Sequence, residues 1–173
     1  MRLERMTGAE HPLYARAMAL YRSSFPAHEL REEPSQRQIL SDPAYHFDLI
    51  WDGDTFVGEV LYWEIGGFYY IEHFFILPGL RNRHYGQRAL ELLQPMPLIL
   101  EIDPPVDAVS VRRKGFYERC GFVENPYAHV HPPYHKGNHG HDLVVLSRPA
   151  VLTQAEYDRF RKYLDTVVMK DVF

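Results

Sequence analysis

The sequence has a single cysteine, no long apolar run and no excess of positive charge. With Cys120 alone an intrachain disulfide is impossible, so nothing ties the chain to an oxidising compartment. No apolar stretch approaches the roughly 20 residues of a membrane-spanning helix, and charges stand where a signal peptide needs an apolar core. The net charge of −4 argues against a nucleic-acid-binding protein. We therefore expect a cytoplasmic protein with neither a membrane nor a nucleic acid as partner.

What is present favours a folded α+β protein. Hydrophobic residues make up 46% of the 173 positions, enough for a full core. Periodicity and turn signals predict strands at 45–51, 55–64, 68–77, 98–102 and 143–146, and helices near 9–25, after Pro34, at 85–93, at 107–119 and from Thr153. Antiparallel hairpins followed by strand–helix–strand units predict a mixed, mostly antiparallel central sheet with helices on both faces.

A basic turn separates the apolar strand at 68–77 from the helix at 85–93. It reads Arg81-Asn82-Arg83-His84-Tyr85-Gly86-Gln87. N–H groups at a helix start lack intrahelical partners and carry the positive end of the dipole, so such a turn can hold a phosphate or pyrophosphate. It is neither a P-loop nor a dinucleotide fingerprint. From this segment alone, anion binding and a turn that binds nothing are equally good interpretations.

A second motif ends a later helix and reads Tyr117-Glu118-Arg119-Cys120-Gly121-Phe122. Together the two motifs resemble the GNAT family of N-acetyltransferases, which carries Arg/Gln-x-x-Gly-x-Gly/Ala in its acetyl-CoA turn and Tyr-Glu-Lys/Arg-x-Gly-Phe at the end of a helix. Arg81 and Gly86 match the first pattern, and His84 replaces its middle glycine. The resemblance covers roughly residues 1–148 and implies a GNAT-like fold. We expect one such domain over residues 1–173, including a C-terminal helix at 153–172.

The resemblance implies an enzyme that moves an acetyl group from acetyl-CoA directly to a primary amine in a ternary complex. The acceptor would be a small molecule or a peptide, and the protein a monomer or homodimer. Tyr117 would face the CoA sulfur and protonate the departing thiolate; a tyrosine that only packs is the alternative. Backbone N–H groups near Ile76 and Leu77 would polarise the acetyl carbonyl. The residues implied to bind acetyl-CoA are Ile76, Leu77, Arg81, Asn82, Arg83, His84, Tyr85, Gly86, Gln87, Ser110 and Tyr117.

Two lone carboxylates in apolar strands, Glu72 and Glu101, are the candidates for the catalytic base. Burial raises the pKa of a carboxyl group toward the range useful for removing a proton from an amine. The alternative is that each carboxylate is structural and pairs with an arginine or a histidine. His73 follows Glu72, and strand alternation predicts that it faces the opposite side of the sheet.

The tract from His129 to His141 holds half of the ten histidines. Histidine pairs suit zinc or nickel, but cysteine and carboxylates are not nearby, and we expect no metal. We favour a loop beside the acceptor and expect Phe25, Glu29 and Tyr134 to contact it. An exposed loop without function, and a solvated helix face for Glu29, stay open as alternatives.

A function of another class also fits the sequence: a non-catalytic, acyl-CoA-binding regulatory module with the same fold. Its support is the departure from the family pattern at His84 and at Ser110, where the family has asparagine. The enzyme is favoured by Tyr117 and by the two carboxylates. Cys120 is poorly placed to carry an acyl group, which favours direct transfer over a covalent intermediate.

Overall fold

The computed structural model describes the whole chain, Met1–Phe173. The strands are β1 (Arg2–Met6), β2 (Tyr45–Asp52), β3 (Thr55–Ile65), β4 (Phe68–Ile76), β5 (Leu98–Ile102), β6 (Val123–Glu124), β7 (Val130–His131), β8 (His141–Asp142) and β9 (Val144–Arg148). The helices are α1 (Tyr14–Ser24), α2 (Glu33–Ile39), α3 (Tyr85–Glu91), α4 (Ala108–Arg119) and α5 (Gln154–Tyr163), which continues into a π turn over Leu164–Val168.

Seven strands form one sheet in the order β1-β2-β3-β4-β5-β9-β6, and β7 pairs with β8 in a separate ribbon. All pairings in the main sheet are antiparallel except that of β4 with β5. Helices cover both faces: Tyr21 of α1 and Phe160 of α5 pack in one core, and Leu90 of α3 and Tyr117 of α4 pack in the other. The predicted fold class is therefore confirmed.

The parallel strands β4 and β5 pair over only three positions, from Tyr69 opposite Leu98 to Ile71 opposite Leu100. Beyond Ile71 and Leu100 the two strands separate. Strand hydrogen bonds hold neighbours about 4.8 Å apart, and where the bonds end the sheet can open. The separation leaves a gap in the middle of the sheet, and Glu72 and Glu101 lie at its start.

A bulge in β4 lies at the start of this gap. Leu61 of β3 pairs with His73, but Tyr62 pairs with Ile71, so Glu72 has no partner across the strand pair. An extra residue resets the alternation of side chains. His73 consequently packs on the α1 side, 5.0 Å from the ring of Tyr21 between centroids, and the prediction that it faces away from Glu72 is wrong.

Three further elements differ from the sequence-based prediction. The N-terminal strand β1, which pairs with β2, was not predicted, and neither was the β7–β8 ribbon within the histidine-rich tract. Helix α1 begins at Tyr14, because a turn precedes it in which the His11 N–H donates to the Gly8 carbonyl oxygen. No helix of the structure is long and apolar enough to cross a membrane.

Candidate active site

A cleft of about 1240 Å³ opens where β4 and β5 separate. Its walls are the ends of both strands, the basic turn, α4 and the β7–β8 ribbon. The sequence-predicted residues that line it are Phe25, Glu29, Glu72, Ile76, Arg81, Asn82, His84, Tyr85, Gly86, Gln87, Glu101, Tyr117 and Tyr134. Three predicted residues lie outside the lining: Leu77, Arg83 and Ser110.

The basic turn presents a row of free backbone donors. None of the N–H groups from Asn82 to Gln87 donates to a protein acceptor. The Arg81 side chain fixes the start of the turn, since its Nε donates to the Ile76 carbonyl oxygen at 3.1 Å. Consecutive unpaired N–H groups beside arginines form a site suited to a phosphate or pyrophosphate.

His84 keeps the backbone conformation that glycine adopts most easily. Its φ is 60° and its ψ is 8°, in the left-handed region, where a side chain costs roughly 1–2 kcal/mol. Asn82 has a similar φ of 61°. His84 therefore adopts a backbone conformation that glycine at the same position would favour.

Gly86 allows α3 to approach α4. A Cβ at this position would lie 2.9 Å from Cζ of Phe116, closer than two carbon atoms can pack. Phe116 in turn contacts Tyr117, with 5.1 Å between ring centroids. The glycine thus links the position of the turn to that of the tyrosine, in addition to any role toward a ligand.

The end of α4 explains the second sequence motif. The Phe122 N–H donates to the Tyr117 carbonyl oxygen and the Gly121 N–H to that of Glu118, both at 3.0 Å. Gly121 has a φ of 84°, and the rings of Tyr117 and Phe122 meet at 5.5 Å. These bonds and this contact form a Schellman motif, which requires glycine at this position. The motif anchors Tyr117 on the last turn of the helix.

The Tyr117 side chain lines the cleft although the residue is only 8% exposed. Its hydroxyl has no protein hydrogen-bond partner, yet it is not among the fully enclosed polar atoms. Burial raises the pKa of Tyr117 to about 12. The phenol therefore keeps its proton at neutral pH and can donate a hydrogen bond into the cleft.

The backbone N–H group of Leu77 already has a hydrogen-bond acceptor within the sheet. Its N–H donates to the Val57 carbonyl oxygen at 2.9 Å, so the prediction that it polarises an acetyl carbonyl is wrong. Successive N–H groups along a strand point to opposite sides. The N–H of the preceding residue, Ile76, is thus directed away from β3 and toward the gap that β5 leaves.

Ser110 and Arg83 are placed differently from the other predicted ligands. The Ser110 hydroxyl donates to the Asp107 carbonyl oxygen and accepts from the Asp107 N–H, both at 3.1 Å. The serine is thus part of the capping box of α4, with Asp107 as the N-cap residue. Arg83 is exposed and lies outside the lining of the cleft.

Glu72 forms a buried ion pair and further hydrogen bonds that join four segments of the chain. Its Oε1 accepts from Arg31 Nη2 at 3.0 Å and from the Tyr134 hydroxyl at 2.9 Å, and its Oε2 accepts from Trp63 Nε1 at 2.8 Å. Burial raises the pKa of Glu72, but the Arg31 guanidinium, His73 and these hydrogen bonds together outweigh burial, and the net pKa is lowered. The expectation that burial gives Glu72 a raised pKa is therefore wrong.

Glu101 has histidine partners that the sequence did not reveal. It contacts His129 Nε2, accepts from the Tyr70 hydroxyl at 2.5 Å, and lies 3.8 Å from His131 Nε2. Burial raises the pKa of Glu101, but His131 and His129 outweigh it and lower the net pKa. The structural alternative, a carboxylate paired with an arginine or a histidine, thus describes both carboxylates.

The other end of the cleft is lined by aromatic and polar side chains. Phe25 and Glu29 follow α1, and Tyr134 and His131 come from the histidine-rich tract. His73 donates from Nε2 to the Glu29 carbonyl oxygen at 3.0 Å, and burial lowers its pKa to about 4. His129 and His131 were missed as individual site residues because their partner, Glu101, is distant in sequence.

Comparison with known proteins connects this cleft to one family. Residues 11–122 match the Acetyltransferase (GNAT) family. A solved structure from Bacteroides thetaiotaomicron, assigned as an acetyltransferase of the GNAT family, is 32% identical, with a TM-score of 0.90 over 98% of both chains. No curated protein matches the sequence.

Two other solved structures share the fold at lower identity. An aminoglycoside 6′-N-acetyltransferase complexed with coenzyme A is 14% identical, with a TM-score of 0.59 over 86% of this chain and 96% of that chain. The ribosomal-protein-S18-alanine N-acetyltransferase from Escherichia coli is 15% identical, with a TM-score of 0.57 over 88% and 96% of the two chains. At these identities the likeness extends to the fold alone.

Proposed function

The chain belongs to the GNAT family of acetyltransferases and is an acyltransferase, and we propose that it moves an acetyl group from acetyl-CoA to a primary amine. Transfer is direct, within a ternary complex in the cleft between β4 and β5. The observation that carries this proposal is the row of free N–H groups from Asn82 to Gln87, which lies in the same cleft as the unpartnered Tyr117 hydroxyl. The turn suits a pyrophosphate, and the Tyr117 hydroxyl supplies a hydrogen-bond donor in the same cleft.

The turn would hold the pyrophosphate of acetyl-CoA. The free N–H groups supply hydrogen bonds, and Arg81 adds positive charge near them. The left-handed conformation of His84 supports this assignment, because the turn keeps the shape that a glycine would give it. The Ile76 N–H, directed into the gap, is the donor for the acetyl carbonyl, where a fixed donor stabilises developing negative charge.

Tyr117 would stabilise the leaving thiolate. An ordinary thiol has a pKa of about 8.5, so complete proton transfer from a phenol of pKa about 12 is uphill. A hydrogen bond to the developing thiolate avoids this cost and still lowers the barrier. The Tyr117 hydroxyl, which no protein acceptor occupies, is available for that bond.

The acceptor is a primary amine on a small molecule or on a peptide. Phe25, Glu29 and Tyr134 form the part of the cleft that would contact it. Glu72 lies behind this wall as a positioning residue, because its bonds to Arg31 and Tyr134 fix the wall to the sheet.

The test combines binding with turnover. Calorimetric titration with acetyl-CoA should give a saturable site, and thiol release should depend on an added amine from a panel of small primary amines and peptides with free N-termini. Mass spectrometry of the amine should show a gain of one acetyl group. Binding without release on any amine would instead support the regulatory module, and absence of binding would overturn both.

A further inference from the structure

His131 borders the cleft at the place where β4 and β5 separate. It ends β7 and pairs with His141 of β8, and it lines the cleft together with Glu101 and Tyr134. Its side chain is 3% exposed. In the proposed reaction the attacking amine must lose a proton. Both carboxylates, Glu72 and Glu101, are held by cationic or histidine partners, so no residue is yet assigned to accept that proton.

The hydrogen on neutral His131 has a defined position. Its Nδ1 lies 2.6 Å from the carbonyl oxygen of Pro132. A carbonyl oxygen only accepts hydrogen bonds, so Nδ1 carries the hydrogen and Nε2 carries the lone pair. The nitrogen able to take up a proton is therefore Nε2.

The atoms around Nε2 are oxygens that can accept a hydrogen bond. The Tyr134 oxygen lies 3.4 Å away, and Glu101 Oε2 lies 3.8 Å away. Tyr134 gives its single hydrogen to Glu72, and Glu101 is ionised, so both neighbours present acceptors to Nε2. A neutral imidazole gains nothing from two acceptors, whereas an imidazolium gains a hydrogen bond and an ion pair.

His73, the other histidine at this wall, is unsuited to the task. Its Nε2 is committed to the Glu29 carbonyl oxygen, and its Nδ1 is enclosed without a partner. No carboxylate forms an ion pair with the His73 ring, whereas Glu101 pairs with His131. Of the two buried rings that line the cleft, only His131 has a carboxylate beside its proton-accepting nitrogen.

We propose that His131 is the general base of the transferase and that Glu101 is a positioning residue that stabilises its imidazolium. This inference rests on the proposed acetyl transfer. The amine nitrogen attacks the thioester carbonyl carbon and forms the C–N bond; the C–S bond breaks, and the electron pair leaves with sulfur. The proton from the amine goes to His131 Nε2, directly or through one water, and later to solvent. The thiolate, hydrogen-bonded to Tyr117, leaves with CoA.

Several other ionisable groups face His131. These groups are the carboxylate of Glu29, which follows α1, the imidazole of His73 on β4 and the imidazole of His141 on β8. The Glu72–Arg31 pair lies behind Tyr134. Glu101 is the only carboxylate within 4 Å of Nε2, so its removal should affect His131 most.

The experiment measures kcat/KM against pH from 5.5 to 9.5 with the best amine of the panel, for wild type and four variants. His131→Gln should reduce kcat about 100-fold, within the range for loss of a general base, with acetyl-CoA affinity unchanged by calorimetry. Imidazole added to His131→Ala should restore part of the activity. Glu101→Gln should shift the acidic limb of the profile to lower pH, because the imidazolium loses its counter-charge. His139→Gln, an exposed histidine of the same tract, should behave as wild type.

The outcomes separate this inference from the proposed function. If wild type acetylates an amine but His131→Gln keeps its kcat within threefold and retains the acidic limb, the base is another group and the inference is overturned. Loss of activity in His131→Ala that imidazole does not restore, with an unshifted limb in Glu101→Gln, would also contradict it. If wild type acetylates no amine, the proposed function fails first.

Discussion

Arg31 and Glu72 form an ion pair from which water is excluded: Nη2 lies 3.0 Å from Oε1, and the two side chains are 0% and 1% exposed. Arg31 lies between a short 3-10 turn at Ala27–Glu29 and α2, and it also donates to the carbonyl oxygen of Val168 after α5. The pair therefore joins the N-terminal segment, the bulged strand and the C-terminal segment behind the cleft. Its position explains why an apolar strand carries a carboxylate.

Replacing one partner of this pair should destabilise the fold. We expect Glu72→Gln to lower the free energy of unfolding by about 3–5 kcal/mol, because the Arg31 charge would stay buried without its partner. Urea unfolding at pH 7 measures the change. The matched control is Glu33→Gln, which breaks an exposed pair with Arg22 and should cost less than about 1 kcal/mol. Equal losses in the two variants would contradict the assigned role.

Glu59 predicts that the stability of the fold depends on pH. The residue is fully buried, neither carboxylate oxygen has a partner, and burial raises its pKa from 4.5 to about 9. The folded state therefore holds a proton that the unfolded state releases above pH 4.5. The stability that this group contributes is complete below pH 4.5 and is lost as pH rises toward 9, at about 1.4 kcal/mol per pH unit.

We expect Glu59→Gln to remove this slope, because the amide resembles the neutral acid and does not titrate. Unfolding free energies at pH 5, 7 and 8.5 would measure it, and the variant should be the more stable protein at pH 8.5. Substitution of the exposed Glu10 by glutamine serves as the control. A wild-type stability that does not change over this range would show that Glu59 has a polar partner in solution.

A structural feature of this protein can be predicted from the sequence when the residues that form it are close together along the chain. The hairpin formed by the strands at 45–51 and 55–64 and the helix at 107–119 are local features, and neighbouring residues predicted both. The bulge at Glu72 depends on the register of β3, and the Arg31–Glu72 pair joins residues 41 positions apart. The prediction for His73 failed for that reason, since strand alternation holds only while both strands advance one residue at a time.

The histidine-rich tract, which borders the cleft, also makes contacts with residues that are distant in sequence. The sequence indicated a loop near the acceptor, but it gave no sign that His129 and His131 contact Glu101 on β5. This spacing of histidines fits a metal site, an exposed loop or a partner for a carboxylate equally well. Only the packing of the β7–β8 ribbon against the sheet distinguishes them.

The turn before α3 allows a test of backbone shape. Because His84 is left-handed, we expect His84→Gly to bind acetyl-CoA within about threefold of wild type. His84→Val should bind about tenfold more weakly, since a β-branched residue is strained at positive φ. Calorimetric titration measures both affinities, and unfolding midpoints control for the fold. Unchanged binding in the valine variant would mean that the shape of the turn does not govern cofactor affinity.

The most direct test of the account is amine-dependent thiol release from acetyl-CoA by wild type and Tyr117→Phe, measured side by side. We expect wild type to release CoA only with an acceptor, and the variant to lose at least about tenfold in kcat while binding acetyl-CoA normally. Tyr163→Phe removes a hydroxyl bonded to the Glu64 carbonyl oxygen, away from the cleft, and should be as active as wild type. Undiminished turnover in Tyr117→Phe would contradict the mechanism, and no acceptor-dependent release from wild type would contradict the assignment as an N-acetyltransferase.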